Sequence, residues 1–93
     1  ARSFCRGKFK IKKWGRRKIT FELKKKRVSA VCIAKGLEEI EEEEYLESLI
    51  TLLHKKEVLV KDKNPFVRKK KMVDYMVRKG YESDLVWEAV RKL

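Results

Sequence analysis

Ninety-three residues with a formal net charge of +12, 43% of them hydrophobic and 43% charged, suffice for one small domain and exclude two with independent cores. No run approaches the roughly 20 apolar residues of a membrane span, since Leu49 to Leu53 is already interrupted by Thr51. Residues 1–28 carry 13 Lys and Arg against Glu22 alone, residues 29–60 carry 3 against 8 acids, and residues 61–93 carry 10 against 5. This segregation creates local fields of opposite sign and points to an anionic partner for the basic segments.

The elements read as helices. From Ala1 to about Lys12, the residues Ala1, Phe4, Cys5 and Ile11 fall near one side of a helix. No Ser, Asp or Pro start signal precedes it. It is expected to be a stub whose own partners are missing, and the exposed surface around Phe4 then predicts self-association. Trp14 and Gly15 break the stub, and Gly15 permits the turn into the next helix. There Ile19 and Leu23 share a face, and Lys24 to Arg27 mark the end, where cations suit the negative pole. Ser29 is a good N-cap for a short helix with Cys32, Ile33, Leu37 and Ile40 in one apolar stripe. Glu41 to Glu44 lead into a third helix carrying Tyr45, Leu46, Leu49, Ile50 and Leu53, expected to run to about Lys56.

After a linker, Asn64 and Pro65 combine an N-cap residue with proline at the first helical position. The next helix is expected to bury Phe66, Met72, Val73, Met76 and Val77, and Gly80 to end it as a left-handed cap. Glu82 or Ser83 starts the last helix, with Leu85, Val86, Val90 and Leu93 inward.

Shifted by 53 positions, Trp14 to Ile40 reappears in degenerate form at Phe66 to Leu93. Arg27 falls on Gly80, Ile19 on Met72, Leu23 on Met76, Ile33 on Val86, and Arg17 and Lys18 on Lys70 and Lys71. Self-similarity at a fixed period marks tandem supersecondary units. The fold class is therefore all-α, with tandem three-helix, helix-turn-helix-like repeats in a right-handed or elongated array.

Little supports catalysis. His54 is the only histidine and sits where a helix surface welcomes a cation. No nucleophile elbow, phosphate loop or metal-ligand spacing occurs, so neither cofactor nor metal is expected. The acidic run from Glu38 to Glu44 reads as carboxylates complementing a helix start. Cys5 and Cys32 read as reduced core residues of a cytoplasmic protein. The basic residues carry more information. Arg16, Arg17 and Lys18, and in the copy Arg68 with Lys69, Lys70 and Lys71, stand near helix starts, where each cation is disfavoured by about 0.3–1 kcal/mol. An anionic ligand using both these side chains and the backbone amides would compensate. With Lys24 and Lys25, these residues (Arg68 aside) are the candidate partner or DNA contacts. Phe21 and Tyr75, each two positions from an inward pair, should be partly exposed and available to pack on that partner.

The run A-R-S-F…K-F…K-W-G-x-x-K-I…L-K-x-K-x-V-S…I-A…L…I-E-E-E-E-Y, followed by K-x-K-N-x-F…R-K-G-Y-E-S-D-L-V…V, resembles the RecX family of bacterial recombination regulators, most closely its Bacteroidetes-type members. The resemblance covers nearly the whole chain and rests on the order and spacing of short motifs. It implies three tandem three-helix units. Residues 1–12 would be the last helix of a truncated first unit, 13–57 the second unit, 58–63 a linker, and 64–93 the first two helices of the third. It also implies non-catalytic binding to the RecA filament, with inhibition of RecA activities in recombination, DNA repair and the SOS response. The alternative is an independent helix-turn-helix-like module contacting the phosphates of single- or double-stranded DNA through the same residues. Where the family usually has Gly, this chain has Arg27, so a left-handed cap there costs roughly 1 kcal/mol or the turn takes another form.

Overall fold

Three backbone positions determine where the chain turns. The computed structural model describes residues 2–93, and the helical place expected for Ala1 lies outside them. Among these residues six helices form, namely α1 (Arg2–Lys10), α2 (Arg16–Lys25), α3 (Ala30–Leu37), α4 (Glu42–Leu59), α5 (Pro65–Arg78) and α6 (Ser83–Arg91). After α1, Lys13 takes φ 59° and the Trp14 N–H donates to the Lys8 carbonyl at 3.1 Å. After α2, Arg27 takes φ 61°, with Val28 N–H donating to the Leu23 carbonyl and Arg27 N–H to that of Lys24. After α5, Gly80 takes φ 100°, with Tyr81 N–H on Met76 and Gly80 N–H on Val77. The second and third closures are one motif at equivalent positions. Arg27 thus accepts the left-handed conformation that glycine adopts more readily.

Helix starts follow the expected capping chemistry in two cases. Ser29 Oγ accepts from the Cys32 N–H at 3.2 Å. Asn64 Oδ1 accepts from the N–H groups of Phe66 and Val67, with Pro65 as the first helical residue. Each satisfies amides that would otherwise lack an intrahelical partner.

The grouping of helices differs from the expected units at 13–57 and 64–93. α1 packs with α2 and α3, while α4 packs with α5 and α6. α1 is therefore no partnerless stub. Cys5 and Phe9 are buried, and Phe4 lies half-buried with its ring edge-on to Trp14 at 6.4 Å. The premise of self-association through a bare first helix is thereby removed. The resemblance implied that α4 belongs to the unit at 13–57, but α4 turns Tyr45, Leu49 and Leu53 into the core beside α5 and α6. Burial also corrects some inward assignments. Cys32 is exposed, and Ile33 and Gly36 face in instead. Phe66, in the first turn of α5, is 69% exposed, and Val77 lies on the outer side.

The two units make an elongated body of 44 × 24 × 21 Å. No described helix is long and apolar enough to cross a membrane. Their junction is a close approach of two glycines. Gly15 N–H donates to the Lys79 carbonyl at 2.7 Å, and Arg17 N–H to the Gly80 carbonyl at 2.9 Å. A Cβ on Gly15 would stand 2.3 Å from the Gly80 carbonyl carbon and the Tyr81 nitrogen, and one on Gly80 would stand 2.4 Å from Lys18 Cβ. Gly7, inside α1, meets nothing within 4 Å. Gly15→Ala should therefore destabilise the fold by about 1–3 kcal/mol or more through forced separation of the units. Gly7→Ala should stabilise it by about 0.5–1 kcal/mol through helix propensity alone. Urea denaturation of the two variants checks this opposite sign, and equal effects would contradict the junction.

Candidate partner interface

The three cations opening α2 have different fates. Arg16 reaches across the junction, its guanidinium 3.1 Å from Glu42 Oε2 and 3.0 Å from Glu82 Oε2, and 4.0 Å above the Tyr45 ring centroid. Its backbone N–H donates to the Tyr45 hydroxyl at 2.9 Å, and that hydroxyl donates to Glu82. Burial works against the Arg16 charge, but Tyr45, Glu82 and Glu42 outweigh it and hold the guanidinium more firmly charged than usual. Burial first, then the hydrogen bond to Glu82, pushes the Tyr45 hydroxyl far above the ordinary tyrosine range. Burial also raises Tyr81, partly relieved by its hydrogen bond with Ser48.

The compensation expected from an external anion is thus supplied to Arg16 internally. The amides of Arg16 and Arg17 are also engaged, by Tyr45 and Gly80. At the other cluster, Asn64 takes the first amides of α5, and Lys69, Lys70 and Lys71 stand in the second turn rather than the first. An anion at either helix start would find few of the free amides that the sequence suggested.

The remaining candidates sort by environment. Lys25 lies 3.6 Å from Glu22, and Lys71 lies 3.2 Å from Asp62. The Lys18 ammonium sits 4.8 Å from the Trp14 ring centroid. Arg17, Lys24, Lys69 and Lys70 are exposed, with no ionic partner among the described residues. Arg17, Phe21 and Lys24 follow one another at helical spacing and line one open cleft with Thr20, Leu37 and the Arg16–Glu82 pair, a volume of about 540 Å³. Phe21 is 61% exposed, as its offset from Ile19 and Leu23 predicted. Tyr75 is half-buried, with the Lys56 ammonium 4.5 Å from its ring centroid. Lys69 lines a separate, smaller cleft with Arg68, Met72 and Leu93. The structure thus joins Arg17 and Lys24 around Phe21 and leaves Lys69 and Lys70 on another helix.

Sequence reasoning missed Tyr45 and Glu82 as the partners of Arg16. The only local hint was Glu82 standing at the N-cap place that Ser29 fills in the first copy, without capping through its side chain.

A family model of the second three-helix domain of RecX matches residues 1–37, and one of the third three-helix domain matches residues 42–90. The chain belongs to the RecX family. Searches of curated proteins and of solved structures return no match. The division between the two RecX domains falls in the connection from α3 to α4, where the packing also divides. α1 to α3 thus form the second RecX domain and α4 to α6 the third.

The buried tyrosines of this RecX junction make stability sensitive to alkali. Unfolded tyrosine loses its proton near pKa ~10, whereas Tyr45 and Tyr81 hold theirs to higher pH. Their contribution is fully present below about pH 10 and is lost as pH rises through the raised native values, because the unfolded chain then binds fewer protons. Tyr45→Phe should cost about 1–3 kcal/mol at neutral pH by leaving the Arg16 amide and Glu82 Oε1 without the hydroxyl that serves both. It should also flatten the decline in stability above about pH 10. Urea unfolding of both proteins across that range tests this, and parallel declines would refute the role given to Tyr45.

Proposed function

We propose that this RecX-family chain acts as a non-catalytic regulator that binds the RecA nucleoprotein filament and inhibits RecA activities in homologous recombination and DNA repair. The observation that carries this reading is the match of two successive RecX domains to two packed units, together bearing unpaired exposed cations beside an exposed aromatic. Arg17 and Lys24 flank Phe21 on α2, while Lys69 and Lys70 extend the basic surface on α5. Phe21 is 61% exposed even with the Lys25 ammonium 5.4 Å from its ring centroid, and an exposed aromatic among cations suits an acidic protein surface with an apolar centre, because such interfaces concentrate aromatic anchors inside a polar rim. In this reading Lys18, Lys25 and Lys71 contribute to the field, and Arg16 holds the two domains in register.

The test is the ATPase activity of RecA on single-stranded DNA. The chain should inhibit at ratios far below those that coat the DNA. The charge reversals Arg17→Glu with Lys24→Glu, or Lys69→Glu with Lys70→Glu, should each raise the half-inhibitory concentration by about tenfold, corresponding to ~1.4 kcal/mol. Inhibition appearing only when free DNA is saturated would favour an independent phosphate-binding module instead. Unchanged inhibition by both reversed variants would remove these residues from the interface.

A further inference from the structure

A second group of cations without ion-pair partners gathers on the aromatics at the α1–α2 turn. Phe4 on α1 and Trp14 in that turn form an edge-on pair, and three lysines converge on it, one from α1 and two from α2 and its C-cap. The Lys8 ammonium is 5.4 Å from the Phe4 centroid and 5.0 Å from that of Trp14. Lys18 is 4.8 Å from Trp14, and Lys26, which caps the end of α2, is 4.3 Å from Phe4. None of the three has a carboxylate within ion-pair distance among the described residues. The rings attract each ammonium modestly, but they do not neutralise it. Three like charges held around two rings still repel one another, and an anion would relieve that repulsion.

We propose that Lys8, Lys18 and Lys26 form a binding site for the phosphodiester backbone of a nucleic acid, with Phe4 and Trp14 as the platform that positions the ammoniums. The ring faces are occupied by lysines, so bases do not stack there and the site reads charge, not sequence. Nucleic acid fits better than an acidic protein surface for the same reason. A protein interface needs an apolar centre, which Phe21 offers, 61% exposed with one lysine near its ring, and which the part-buried Phe4 and Trp14 under three lysines do not. Successive phosphates need only cations at matching intervals. The site lies in residues 1–28, where 13 cations face a single acid, so the surrounding field favours the same ligand.

This site shares only Lys18 with the surface proposed for RecA and is measured without RecA. In a Trp87→Phe protein, Trp14 is the sole tryptophan. Titration with an oligothymidylate should change its emission as the lysines turn from the ring to phosphate. The logarithm of affinity should fall linearly with the logarithm of salt concentration. Changing Lys8, Lys18 and Lys26 together to Gln should reduce that slope by about two units for a single strand. Arg17→Gln with Lys24→Gln should leave the Trp14 response in place. Helix content and melting temperature should change little in the triple variant, because its side chains lose only ring contacts. If Trp87→Phe fails to fold, anisotropy of a labelled oligothymidylate with the otherwise unaltered chain reads the same slope. A triple variant with unchanged affinity and slope, or a Trp14 emission that ignores the oligonucleotide, would overturn the proposal. So would loss of binding to a RecA filament while free DNA is still bound, which would assign the lysines to acidic protein instead. RecA inhibition is a separate readout and can survive any of these results.

Discussion

The architecture depends on two backbones meeting where neither carries a side chain. Gly15 N–H on Lys79 and Arg17 N–H on Gly80 bring the turn before α2 against the turn after α5, and a Cβ on Gly15 would collide with the Gly80–Tyr81 peptide and one on Gly80 with Lys18. That contact brings the start of α2 alongside α4 and the start of α6. The aromatic run from Phe9 through Tyr45 to Tyr81, with centroids 5.8 and 5.1 Å apart, then crosses from one domain to the other as continuous core. The Lys79 ammonium adds a bond of 3.1 Å to the Lys12 carbonyl from the outside.

The same contact explains why equivalent turns carry different residues. Gly80 must be glycine on two counts, its φ of 100° and the Lys18 Cβ pressed against it. Arg27 meets only the first requirement. Its turn is exposed, so a side chain there bears a conformational cost of about 1 kcal/mol without a collision. The departure from the family's glycine is therefore tolerated where no second domain packs on the turn. At the junction, by contrast, Arg16 is 27% exposed and faces two carboxylates. Removing Arg16 from this network costs more than removing either carboxylate, because it leaves the part-buried Glu82 without its counterion, whereas loss of one carboxylate leaves Arg16 paired with the other.

Much of this was legible from residue pattern. Ser29 and Asn64 announce their helices, Ile19 and Leu23 match Met72 and Met76 in burial, and the equivalence of Arg27 with Gly80 survives down to the hydrogen-bond motif. Periodicity identifies the inward side of a helix but not the helix it faces, so the spacing of Tyr45, Leu49 and Leu53 does not reveal that α4 packs with α5 and α6. The second copy's helix begins at Pro65 as its start signal announces, four residues before the position equivalent to the start of α2, so Lys69 to Lys71 lie a turn deeper than Arg16 to Lys18. Long side chains are harder still. Nothing near Arg16 in sequence foretells Glu82, and nothing in the spacing of Lys8, Lys18 and Lys26 reveals that all three fold back onto one pair of rings.

The charge segregation acquires a physical meaning from these contacts. The acidic block between the two basic ones is partly committed within the fold, with Glu42 on Arg16 and Glu39 on Arg2 at 3.4 Å. The cations left over are not equivalent. Phe21 is 61% exposed with one lysine near its ring, an arrangement that can bury apolar area against a folded partner. Phe4 and Trp14 are half-buried beneath three lysines, and what they present to solvent is mainly charge. A nucleoprotein filament offers both kinds of surface, protein with apolar ground and phosphate without it. Two basic faces that differ in how far their aromatic is exposed could engage such a target at both without competing for the same contact.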